Sequence, residues 1–121
     1  MILITANPSR QLLYLRYIGE VSPEQLARAK EDLVSLVATL KPEFTFLVDM
    51  TELHSMSVDC AEELGRKMDL LDSAGVGRIV RIIPDATKDI GMNILALFHY
   101  PHRPSTSHYQ TLAEAAKALG L

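Results

Sequence analysis

Turn-forming residues break this chain every ten to twenty positions, and the segments between the breaks change patterning from one to the next. That spacing points to short elements alternating in type, with no internal repeat, low-complexity tract or linker. Residues 2–5 and 12–18 (Leu12-Leu13-Tyr14-Leu15-Arg16-Tyr17-Ile18) are rich in apolar and β-favouring residues. Asn7-Pro8-Ser9-Arg10 between them is a turn signal, so the pair reads as a β-hairpin. Gly19 is expected to end the second strand. Ser22 then opens a helix, with Pro23 at the first helical position and Gln25 three residues on, a capping box with the favoured proline. Leu26, Ala29, Leu33, Leu36, Val37 and Leu40 recur on one face, and the helix is expected to stop just before Pro42.

Phe44-Thr45-Phe46-Leu47-Val48 is a short apolar run ending at Asp49, the pattern of a strand buried on both faces. A second helix is predicted over 59–73, opened by Asp59 with Glu62 three later, with Ala61, Leu64, Met68 and Leu71 as its apolar stripe. Ala74-Gly75-Val76-Gly77 closes it, and Arg78-Ile79-Val80-Arg81-Ile82-Ile83 is the next strand, stopped by Pro84. Ile90, Ile94, Leu97 and Phe98 mark a third helix, ended by Pro101. Residues 105–109 form a last strand, and Thr111 to Leu119 a final helix with Leu112, Ala115, Ala116 and Leu119 inward. The order β-β-α-β-α-β-α-β-α defines an α/β fold: a mixed sheet of parallel neighbours joined by right-handed crossovers, the hairpin supplying one antiparallel edge, with helices packed on it.

The bulk numbers agree with one globular domain spanning residues 1–121. Apolar residues make up 48% and charged residues 22%, so the chain can bury a core and is not disordered. Its 12 basic and 15 acidic residues leave a net charge of −3, which argues against nucleic-acid binding as the main activity. No apolar run approaches the roughly 20 residues of a membrane span. Met1-Ile2-Leu3-Ile4 has neither a basic leader nor a long apolar region and does not read as a signal peptide. The lone Cys60 forbids an intramolecular disulfide and fits a reducing compartment, so the expected location is cytoplasmic.

One stretch resembles a known family. Phe46-Leu47-Val48-Asp49-Met50-Thr51-Glu52-Leu53-His54-Ser55-Met56-Ser57-Val58-Asp59-Cys60 is similar to the most recognisable segment of the STAS family, named for sulfate transporters and anti-sigma factor antagonists. In that family a strand ends in Asp, followed by a hydrophobe, a Ser or Thr, and a short loop into Asp-Ser-Ser-Gly at a helix start. Asp49, Met50, Thr51, Leu53 and Met56 fit without a gap, and Tyr109-Gln110-Thr111-Leu112-Ala113-Glu114-Ala115 resembles the family's last strand-to-helix junction. The resemblance implies a STAS-like fold and a regulatory role through protein partners, with an anti-sigma factor or kinase-like regulator as the expected partner. It also meets a departure. The family's Asp-Ser-Ser-Gly falls on Ser57-Val58-Asp59-Cys60, so the phosphorylated serine would land on Val58, which has no hydroxyl. A one-residue slip puts Ser57 there, with Ser55 close by. Phosphate suits a helix N-terminus, where free amides and the dipole favour an anion, so Ser57 and Ser55 are the candidate acceptors. The plainer role for Ser57 is a helix cap or loop hydroxyl, and Asp59 offers a fixed negative charge beside the same loop.

Open α/β sheets meet ligands and partners at the carboxyl ends of their strands. On this chain that rim gathers Asp49, Thr51, Ser55, Ser57 and Asp59, then Asp85, Thr87 and Lys88. The plainer reading is that Asp85 and Thr87 cap the third helix and Asp49 accepts backbone amides, because caps and turns draw on the same residue types. Arg81 stands in a strand that should be central, where an unpaired charge is costly; an ion pair is the plain expectation and an anion site the sharper one. His99 and His102 flank Pro101, and with His54 and His108 they match no metal signature, so no metal and no cofactor is called for. Cys60, in the first turn of an amphipathic helix, reads as a small hydrophobe. Gly75-Val76-Gly77 precedes a strand and is no dinucleotide loop, and no catalytic set emerges, so an enzyme is the weaker reading.

Two readings follow. The first is a non-enzymatic regulatory interaction module docking through the 50–60 loop and the start of the second helix, without the usual phosphoserine switch. The alternative is a small-ligand-binding or enzymatic domain with a pocket at the strand ends, lined by Asp49, Arg81, Asp85 and the histidines. A self-associating subunit such as a homodimer is a third, marked by Tyr17, Met92 or Phe98 in an exposed patch.

Overall fold

The hairpin forms where its turn residues place it. In the computed structural model, which describes residues 1–84 and 99–121, β1 (Ile2–Asn7) and β2 (Leu12–Val21) run antiparallel with Ile4 opposite Leu15. A 3-10 turn over Pro8–Arg10 joins them: Asn7 Oδ1 accepts from the Arg10 amide, and Gln11 reverses the chain at a left-handed φ of 49°. Gly19 does not end β2, contrary to expectation. It takes φ +69° beside register shifts against the next strand, and β2 continues to Val21. An irregularity at a glycine bends a strand without ending its pairing.

The extra length of β2 explains a second correction. β3 was expected to stop at Asp49 but spans Thr45–Met56, because the far end of β2 still offers a ladder, with Glu20 opposite Ser55 and Val21 opposite Met56. Between these strands α1 (Pro23–Val37) starts on the predicted capping box: the Ser22 hydroxyl accepts from the Gln25 amide, and the Gln25 side chain accepts from the Ser22 amide. It ends five residues short of Pro42, through a turn at Ala38–Leu40. α2 (Ala61–Ser73) begins two residues later than expected, behind a 3-10 turn over Val58–Cys60, so Asp59 lies within that turn rather than at the cap. Ala61, assigned to the apolar stripe, is exposed, while Leu64, Met68 and Leu71 are buried. β4 (Arg78–Ile82), β5 (Ser105–Tyr109) and α3 (Leu112–Ala118) complete the described elements, and the Thr111 hydroxyl caps α3 by accepting from the Glu114 amide. Leu112 is half exposed instead of inward. The third predicted helix, at Ile90, Ile94, Leu97 and Phe98, and the rim residues Asp85, Thr87 and Lys88 lie outside the described residues.

The five strands stand in sequence order, β1-β2-β3-β4-β5, parallel at every pairing but the first. This is the mixed sheet with one antiparallel edge that the alternation implied. Side chains alternate across it as the pleat requires. Leu13, Leu15 and Tyr17 of β2, Phe46 and Val48 of β3 and Ile79 of β4 join Leu26 and Leu33 of α1 and Leu64, Met68 and Leu71 of α2 in the main core. Leu47, Val80 and Ile82 face the other way, onto Ala115 of α3 with Tyr14, Tyr109 and Leu119 around them.

Candidate functional site

β3 changes character halfway along. Through Met50 it is buried; from Thr51 onward Thr51, Glu52, His54 and Ser55 are exposed and only Leu53 and Met56 are half covered. Asp49 sits at the changeover and is itself 3% exposed. Its Oδ1 accepts from the Thr51 amide at 2.9 Å and from the Thr51 hydroxyl, and its Oδ2 accepts from the Tyr14 hydroxyl at 3.1 Å. Burial, and then the Asp49 charge, push the Tyr14 phenol above its ordinary value, which keeps it a donor. Asp49 therefore fixes the point where β3 leaves the core and presents its tail. Beside it, Arg16 of β2 pairs with Glu52, and the buried Arg16 Nε has no hydrogen-bond partner among the described residues.

The chain then turns into α2 through Ser57, Val58, Asp59 and Cys60. Ser57 occupies the cap position of the 3-10 turn with extended backbone, but only its carbonyl is used, accepting from the Cys60 amide at 3.0 Å. Its hydroxyl makes no capping bond and lies 3.9 Å from the Cys60 sulfur. Cys60 is fully buried, its thiol 3.5 Å from the Val21 carbonyl. Val58 is 90% exposed, the most exposed of the large apolar side chains described. In the first turn of α2, Arg66 holds both Glu62 and Glu63. Thr51, Ser55, Ser57 and Asp59 thus share one exposed segment running from the β3 tail to α2.

Arg81 does not belong to that segment. It is 2% exposed and shares the β4 face of Ile79 and Ile83, beneath α2, whereas Asp49 shares the β3 face of Leu47, toward α3. The sheet separates the two, so they do not line a common pocket. The histidines go elsewhere again. His54 and His108 are exposed on β3 and β5. His99 Nδ1 lies 2.7 Å from Asp69 Oδ1 and His102 Nδ1 lies 2.6 Å from Asp72 Oδ2, and the His102 amide also donates to Asp72. The three-residue spacing of the histidines matches that of the two aspartates on α2, so the pair clips residues 99–102 to that helix. Among the described residues no three potential metal ligands converge. Tyr17, named as a possible patch residue, is fully buried.

Sequence reasoning missed a buried polar cluster under α2. Lys67 is 7% exposed; its Nζ donates to the Tyr17 hydroxyl at 2.9 Å and lies 5.4 Å and 5.3 Å from the ring centres of Tyr17 and Phe46. Burial, reinforced by the positive charge of Arg81, lowers the Lys67 ammonium to about 7. Burial raises the phenols of Tyr17 and Tyr100, so both stay protonated. The signal was available: Lys67 falls within the Leu64, Met68, Leu71 stripe of α2, where a cation is out of place.

Comparison with known proteins places this architecture. No protein-family model matches the sequence, and no curated protein does. Solved structures do match. An uncharacterised protein of the DUF3478 family with a SpoIIAA-like fold, from Shewanella loihica, is 21% identical with a TM-score of 0.72, covering 98% of this chain and 93% of that one. The anti-sigma factor antagonist SpoIIAA in its unphosphorylated form is 18% identical with a TM-score of 0.63, covering 99% and 98%. An anti-sigma factor antagonist from Mycobacterium paratuberculosis is 15% identical with a TM-score of 0.59, covering 100% and 96%. The chain therefore has the mixed α/β fold of the anti-sigma factor antagonists. More narrowly, that fold is SpoIIAA-like along nearly the whole length of the chain.

Proposed function

We propose that this chain is a non-enzymatic regulatory module that docks a protein partner, an anti-sigma factor or a kinase-like regulator, through the β3 tail, the Ser57–Cys60 turn and the start of α2. The observation that carries the reading is Val58, held 90% exposed at the mouth of α2 in a fold shared with anti-sigma factor antagonists. An apolar side chain so displayed gains by burial on a partner, about 1.5–3 kcal/mol for full coverage of a valine. A phosphoserine at the same point would instead set a negative charge there. Recognition at this turn is thus constitutive rather than gated by phosphate at position 58. Single exposed apolar residues are common, so the weight rests on the coincidence of Val58 with the turn, not on its exposure alone. Among the described residues no helix is long and apolar enough to cross a membrane, and a cytoplasmic partner is the natural one.

The test is affinity capture from the native cell with wild-type and Val58→Asp protein side by side. The expected result is one anti-sigma factor or kinase-like regulator, held by the wild type and lost by the variant. Recovery of nothing, where known antagonists retain their partners, overturns the reading. Intact mass of the native protein checks the switch separately: an added phosphate mapped to Ser55 or Ser57 would restore it.

A further inference from the structure

β1 is a sheet edge without the usual defences. Its inner side is taken up by β2: Met1 and Ile18 exchange both backbone bonds, which makes them a hydrogen-bonded pair of the antiparallel ladder. Bonded and non-bonded pairs alternate in such a ladder, so Leu3, Thr5 and Asn7 also turn their backbone polar groups to Arg16, Tyr14 and Leu12. Ile2, Ile4 and Ala6 therefore aim their amides and carbonyls away from β2, and among the described strands none lies there. Sheets commonly blunt an edge of this kind with a charge, a proline or a bulge. Ile2-Leu3-Ile4-Thr5-Ala6-Asn7 carries no charge and no proline, and it pairs with β2 without a register shift. Leu3 is 45% exposed, and Ile2 and Ile4 are only half covered, with a narrow crevice left between them and Leu26 and Leu33 of α1. The opposite edge is different in kind: β5 begins Ser105-Thr106-Ser107-His108 and follows Pro104.

We propose that a second copy of this chain pairs with β1, antiparallel and about a two-fold axis at Ile4, joining two five-stranded sheets into one. The three outward-facing residues, Ile2, Ile4 and Ala6, are placed symmetrically about that axis. Ile4 then meets Ile4 of the partner subunit, and Ile2 meets Ala6 of the partner subunit, so that every outward amide finds a carbonyl without a change of register. Charge decides for a copy of the chain over a foreign strand. The molecule carries a net −3, so most ways of bringing two copies together oppose like charges, whereas this edge opposes none. A charged strand from elsewhere finds no complement on it. The apolar side chains agree: Leu3 comes opposite Thr5 of the partner subunit on one face of the joined sheet, and the two half-covered Ile4 side chains lie side by side on the other. Pairing consumes the β1 edge of both copies and leaves the polar β5 edges outermost, so the assembly closes at two chains. The surface is distinct from the Ser57–Cys60 turn and does not depend on what that turn binds.

The experiment is sedimentation equilibrium of the full chain over a range of concentrations, for the wild type, Ala6→Pro and Leu3→Lys. Proline at position 6 removes an outward amide and none of the bonds to β2, and Thr5 before it already has the extended backbone that a following proline requires. Lysine at position 3 stands on an exposed site and sets a charge beside the edge in each copy. The wild-type mass is expected to rise with concentration from one chain to two and no further. Self-association should weaken at least tenfold in each variant, with circular dichroism unchanged and with capture of the docking partner retained. A wild type of single-chain mass at every concentration overturns the proposal and leaves the edge to a strand from another protein. Growth past two chains, or dimers that persist in a folded variant, overturns it as well.

Discussion

At the scale of single residues, two buried polar groups behave in opposite ways. Asp49 is an acceptor whose bonds are filled from within: Thr51 supplies an amide and a hydroxyl, Tyr14 a phenol. Asp49→Ala leaves the Tyr14 hydroxyl and the Thr51 amide without their partner, and chemical denaturation should report a loss of roughly 1–3 kcal/mol. Lys67 is a cation whose fold disfavours its charge. Its folded pKa, about 7, lies below the unfolded value of 10.5. Between these limits the unfolded chain binds a proton that the folded chain does not, so stability rises with pH across the window from about 7 to about 10.5. Below it the full penalty applies and above it none. Lys67→Met removes the penalty, so the variant should be more stable than the wild type at pH 7 by roughly 2–4 kcal/mol, the gap narrowing as pH rises. Denaturant midpoints of both proteins at pH 7 and pH 9 check this, and a pH-independent gap would contradict it. The plainer reading of Asp49, an acceptor of backbone amides, is met by the Thr51 amide; the Tyr14 contact comes from a neighbouring strand and is not written in the local sequence.

At the scale of elements, local signals decided the starts of helices better than the ends of strands. The Ser22-Pro23-Glu24-Gln25 box is self-contained, so its geometry could be read from four residues. Ser22→Ala should cost about 1 kcal/mol, seen as a lower denaturant midpoint with an unchanged slope. Asp59 with Glu62 imitates such a start, but the 3-10 turn takes up Val58–Cys60 and the helix begins behind it. β2 and β3 both outran their expected ends because each extends along the other, through the irregular stretch near Gly19. That pairing joins residues more than thirty apart in sequence, and a pattern read along the chain does not contain it. The His99–Asp69 and His102–Asp72 clips were equally hidden: the matching spacing is plain once the segments are side by side, but nothing local pairs them. Val58→Asp alters only a side chain already in solvent, so unfolding free energy should stay within about 0.5 kcal/mol of wild type while partner capture is lost.

At the scale of the whole molecule, the alternation of strand and helix patterning was enough to define the sheet. One antiparallel hairpin followed by parallel strands is what the alternation implied, and the structure adds that the strands lie in sequence order. The same fold carries the anti-sigma factor antagonists, and the likeness extends over almost the entire chain. Of the candidate surface, the exposure of Thr51, Ser55, Ser57 and Asp59 follows the polar pattern of their segment, while Arg81 is drawn under α2 by the side-chain alternation of β4. The proposed docking surface at the β3–α2 turn is thus separate from the buried Lys67 of α2. The claim that this surface meets the partner is open to a direct measurement. Hydrogen exchange of the isolated protein and of its complex with the captured partner should show new protection confined to residues 51–60 and the first turn of α2. Protection appearing instead on β5 and α3, with the 51–60 amides unchanged, would contradict it.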